Sequence, residues 1–73
     1  MSDYYRMIAR AAAGLNAEHR RLLYERGRRA LIAELQAVQP PLTRSIIMKE
    51  RLSFEEDVQR VEAEEKQRVQ SSE

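Results

Sequence analysis

Apolar residues recur along the chain at helical spacing, and the breaks between them divide it into three segments. In the first, Tyr4, Ile8, Ala11 and Leu15 form one stripe, with Tyr5 and Ala12 beside it, which predicts a short helix over about 3–13. Ser2 or Asp3 is suited to cap its start, and Gly14 to take the left-handed conformation just past its end. Asn16 restarts the chain by accepting from the amide of Glu18 or His19, and Gly27 alone interrupts good helix formers from there to Pro40. A second helix over 17–38 follows. On its helical wheel Leu23, Tyr24, Gly27, Ala30, Leu31, Leu35 and Val38 gather on one side, away from Arg21, Glu25, Arg26 and Arg29. Gly27 costs about 1 kcal/mol of helix propensity relative to Ala, so on the apolar side it either permits close approach of another backbone, the favoured reading, or is a tolerated defect. Glu34 falls within the same stripe and needs a basic partner or an open edge.

Pro40 and Pro41 end the second helix, because proline lacks an amide and disfavours helical geometry in the residue before it. Thr43 can cap a third helix over 43–67, in which Ile47, Phe54 and Val61 recur every seven residues, with Arg51 and Val58 between them and Glu50 and Glu65 flanking. Met48 and Leu52 make a smaller apolar patch on its far side. Beyond Val61 the stripe loses hydrophobicity, and residues 68–73 read as a fraying polar tail. The pattern predicts an all-α fold, an antiparallel hairpin of 17–38 and 43–67 with a short first helix across its open end, in a single domain spanning residues 1–73.

Length and composition sharpen this picture. A chain of 73 residues without Cys, with one His and two Gly, has no disulfide or thiolate metal site to reinforce a core that supplies only about 3–5 kcal/mol. Oligomerisation, first of all as a dimer, is the expected reinforcement. The formal charge of +1 conceals a polarity: residues 1–30 hold seven arginines against three acids, and residues 55–73 hold seven acids against three bases. Opposite ends of the chain should attract, most simply within one molecule. No apolar run approaches the ~20 residues that span a bilayer, and the start lacks a basic-then-apolar leader, which makes the cytoplasm the expected compartment and a membrane partner unexpected.

Candidate chemistry is sparse. His19 is the one group titrating near neutrality, but Ala17-Glu18-His19-Arg20-Arg21 has no nucleophile beside it and no Gly-rich phosphate loop, so no catalytic, metal or cofactor residue is expected. Glu55, Glu56 and Asp57 are successive helix positions pointing about 100° apart, which cannot converge on one cation. Leu23, Gly27, Leu31, Leu35, Ile47, Phe54, Val58 and Val61 are the expected interaction residues of a non-enzymatic module, an adaptor or small regulatory subunit docking on itself or on another helix. The alternative is a small nucleic-acid-binding regulator using Arg21, Arg28 and Arg29.

The stretches Asp3-Tyr4-Tyr5, Arg21-Leu22-Leu23-Tyr24-Glu25-Arg26, Ala30-Leu31, Pro40-Pro41-Leu42, Glu50-Arg51 and Val61-Glu62-Ala63-Glu64 together resemble a group of short helical proteins and segments of alphaproteobacteria. The resemblance spans about residues 3–65 and implies a bacterial helical module, with no activity to carry over.

Overall fold

The computed structural model describes residues 4–71. It is all-helical, with α1 over Tyr5–Ala12, α2 over Ala17–Gln36 and α3 over Arg44–Ser71, and no strand among the described residues. Ala13 and Gly14 release the chain from α1, Gly14 with φ +81°, the left-handed value that glycine adopts without a Cβ penalty. Asn16 caps α2 as expected: its Oδ1 accepts from the His19 amide at 2.8 Å. The same oxygen lies 2.9 Å from His19 Nδ1. Thr43 Oγ1 accepts from the Ile46 amide at 3.2 Å at the start of α3. The expected caps of α1, Ser2 and Asp3, lie outside the described residues.

Two boundaries differ from the sequence reading. α2 stops at Gln36 rather than 38, because Pro40 and Pro41 have no N–H to return to the carbonyls of Gln36 and Ala37. The last turn tightens instead, with the Ala37 amide shared between the carbonyls of Ala33 and Glu34 at 3.2 Å each. The Gln39–Pro40 peptide bond is cis. At the other end α3 runs to Ser71, so the tail expected to fray from residue 68 is helical through that point. Arg68 Nη2 lies 2.5 Å from Glu65 Oε1 one turn earlier, an i,i+3 pair that supports this last stretch.

At 1.5 Å per residue α3 is about 42 Å long, and it sets the long axis of a molecule measuring 51 × 18 × 14 Å. α1 and α2 both lie against it. The core joins Ile8 and Ala12 of α1, Tyr24, Leu31 and Leu35 of α2, and Phe54, Val58 and Val61 of α3, with Tyr4, Leu23, Leu42 and Ile47 packed around them. Thus Leu31, Leu35, Phe54, Val58 and Val61 are occupied within the chain, and Leu23, Gly27 and Ile47 are half-buried. Leu35, Val58 and Val61 are thus engaged by the chain's own helices, whereas Leu23, Gly27, Leu31 and Phe54 border an open groove. Gly27 does serve close packing, because the Phe54 ring tip occupies the space where its Cβ would stand.

Candidate interaction surface

Two rows of acids on α3, each with a seven-residue repeat, hold the other helices in place. Glu50, Asp57 and Glu64 face α1. The Tyr4 hydroxyl donates to Glu50 Oε1 at 2.6 Å, and the Tyr4 amide, at the start of α1, donates to Asp57 Oδ2 at 3.1 Å. A carboxylate at that end also complements the helix dipole. The Tyr5 hydroxyl donates to Glu64, while the Arg60 guanidinium lies over the Tyr5 ring, 3.8 Å from its centroid.

Glu55 and Glu62 form the second row and face α2. Arg28 donates through Nε and Nη2 to both oxygens of Glu55, at 2.5 and 2.8 Å, a fork-to-fork pair. Arg20 donates through Nε to Glu62 Oε2 at 2.8 Å, and its Nη1 reaches the Leu15 carbonyl at 2.9 Å, tying the α1–α2 connection to α3. The Tyr24 hydroxyl donates to the same Glu62 oxygen at 2.5 Å. The attraction between the basic and acidic ends is therefore met inside one molecule. Residue numbers rise along α2 as their partners' numbers fall along α3, from Arg20 with Glu62 to Arg28 with Glu55.

These contacts shift the groups involved. The bond from Arg20 holds the Glu62 carboxyl below its ordinary value, and the bond from Arg28 does the same for Glu55, in both cases against the effect of partial burial. Burial, reinforced by the bond to Glu62, raises the Tyr24 phenol. A carboxylate whose folded pKa lies below its unfolded one stabilises the fold above the unfolded value and loses that contribution as pH falls through the folded value. The thermal midpoint should therefore hold from pH 7 to about 5 and drop below the ordinary carboxylate value of 4.5. Glu62→Gln should blunt the drop while costing about 1 kcal/mol at neutral pH, since the Glu62 side chain is 41% exposed. Melting curves followed by circular dichroism from pH 7 to 3 check this, and a midpoint indifferent to acid would contradict it.

The nucleic-acid candidates are placed as follows. Arg28 is engaged by Glu55, Arg21 pairs with Glu25 at 3.1 Å, and Arg29 is exposed. Among the described residues no group of three or more His, Cys, Asp or Glu could hold a metal ion. None of the helices there is long and apolar enough to cross a membrane.

A concavity of about 530 Å³ is lined by Arg20, Glu62, Ala63, Glu65, Lys66 and Val69, and a second one is apolar. Between α1 and α2 lies a groove of about 340 Å³ walled by Tyr4, Met7, Ile8 and Ala11 on one side and Leu23, Ala30 and Leu31 on the other, with Phe54 and Gly27 at its floor and Glu34 at its rim. Met7 on its wall is 59% exposed. On the other side of the molecule Met48 and Leu52 are exposed, as the wheel of the third helix predicts. The tyrosine–carboxylate clamps and the groove are features the sequence reading missed. The signal of the clamps is the seven-residue spacing of Glu50, Asp57 and Glu64 and of Glu55 and Glu62, alongside that of Ile47, Phe54 and Val61. These features define an all-helical protein with an open apolar groove. Comparison with protein families, with curated proteins and with solved structures gives no match.

Proposed function

We propose that this chain is a non-enzymatic helical interaction module of the cytoplasm, an adaptor or small regulatory subunit. In this reading α2 and α3 act as one antiparallel hairpin with α1 laid along it, and the module associates with itself or with a partner helix. The observation that carries the reading is the groove between α1 and α2, an apolar concavity of about 340 Å³ left open beside the chain's own filled core. Helices recognise one another by laying apolar side chains into such grooves. The ion pairs and tyrosine bonds to α3 keep the groove walls in register, and their role is to position the surface.

Sedimentation velocity from 10 to 300 µM tests the reading, with association expected to survive a rise from 50 to 500 mM salt. The same samples answer the nucleic-acid alternative. With Arg28 and Arg21 committed to carboxylates, a fluorescent single- or double-stranded oligonucleotide should show no saturable binding at 100 mM salt. Binding that weakens steeply with salt and is abolished by Arg29→Ala would overturn the interaction reading, because phosphate contacts are what make affinity salt-dependent.

A further inference from the structure

The open side of α2 carries a charge pattern that is complementary to itself. Arg26, Ala30 and Glu34 stand four residues apart, on one stripe beside the groove, and all three are exposed. Neither the Arg26 guanidinium nor the Glu34 carboxylate has an ion-pair partner among the described residues, in contrast to Arg20, Arg21 and Arg28. We propose that the groove face is closed by a second copy of this chain, the two α2 helices packing antiparallel about a two-fold axis at Ala30. This rests on the interaction-module reading and assigns its partner.

Under that symmetry each residue meets the one equally far from Ala30 in the opposite direction. Arg26 faces Glu34 of the second copy, and the contact occurs twice, as an isologous interface requires. Gly27 faces Ala33, Leu23 faces Ala37, and Ala30 meets its own counterpart. Along the centre of the seam Gly27, Ala30, Ala33 and Ala37 are small, with Arg26 and Glu34 reaching across at its flanks, so the two helix axes can approach to about 8 Å, the near end of the range for packed helices. The surface area argues the same way. A compact monomer of 8.6 kDa exposes about 4,700 Å². This chain exposes 6046 Å². The excess of about 1,300 Å² reflects the elongated 51 × 18 × 14 Å shape, and it leaves room for the roughly 800 Å² that each partner buries in a standard interface. A foreign helix could fill the groove, but nothing in its apolar walls specifies one, whereas the Arg26–Glu34 complement is supplied by the chain itself.

The absence of Cys makes a direct test simple. Ala30→Cys should form a disulfide-linked dimer nearly completely under mild oxidation at tens of µM, because residues on the axis stand opposite each other. Leu52→Cys, on the other side of the molecule, should remain largely monomeric on the same gel. In sedimentation, Arg26→Glu and Glu34→Arg should each weaken the dimer at least tenfold, and the two together should restore it. These positions are exposed, so unchanged helicity is expected, and dichroism verifies it. A dimer that cross-links through Leu52→Cys and ignores both charge reversals would overturn this inference while leaving the interaction-module reading intact. A chain that stays monomeric at 300 µM would overturn the inference together with self-association as the module's mode of action.

Discussion

Phe54→Ala should leave the protein unfolded at ambient temperature. Phe54 is 3% exposed, its ring meets Tyr4 edge-on with centroids 5.6 Å apart at 67°, and its tip fills the space above Gly27. It therefore joins α1, α2 and α3 at one point. Truncating a buried Phe costs about 3–5 kcal/mol, as much as the whole stability expected of so small a core. Circular dichroism should show most of the helical signal lost, and in a stabilising osmolyte the midpoint should still lie far below that of the parent, by about 4–8 °C for each kcal/mol. A cooperative transition within a few degrees of the parent would show that the core is centred elsewhere.

Gly27→Leu should be nearly as damaging, and Gly27→Ala should lose stability although Ala is the better helix former. A Cβ at position 27 would stand 2.8 Å from Phe54 Cζ, closer than van der Waals contact allows, so the buried ring would have to shift from its packing against Tyr4. Overpacking costs about 1–3 kcal/mol against a propensity gain of about 1, so Ala should come out about 1 kcal/mol below the parent, and Leu lower still. The signature is coupling: in a Phe54→Leu background, where the ring tip is gone, Gly27→Ala should become stabilising by about 1 kcal/mol. Additive changes in thermal midpoint across the four proteins would count against the contact.

How far the sequence foretold this arrangement can be argued from these same residues. The apolar rows gave the three helices, and Asn16, Gly14, Thr43 and Pro40 their ends, because local spacing and capping act within a few residues. Even the close approach at Gly27 was legible, since glycine on the apolar side of a good helix needs a reason. Three things were not. Whether the Phe54 stripe faces its own chain or another depends on long-range packing, to which periodicity is indifferent. The role of the acids was hidden for a different reason. Glu50, Asp57 and Glu64 look like a solvated face until Tyr4 and Tyr5 are known to lie against them, and tyrosine in a stripe reads as apolar although its hydroxyl asks for an acceptor. The open groove has no local signal, being the space left where the eight-residue α1 fails to cover the much longer α2.

The shortness of α1 has a consequence for motion. Eight residues are fewer than the ~12–15 an isolated helix needs to hold its shape in water, so α1 is helical because Tyr4, Ile8 and Ala12 are docked. One wall of the groove thus exists only while that docking persists. Amides of α1 should exchange with deuterium together, as one unit opening at lower free energy than α2 and α3. Any occupant that rests on the Met7 wall will slow that exchange and add helical order at the same moment that it binds, so the groove and its wall form as a single equilibrium.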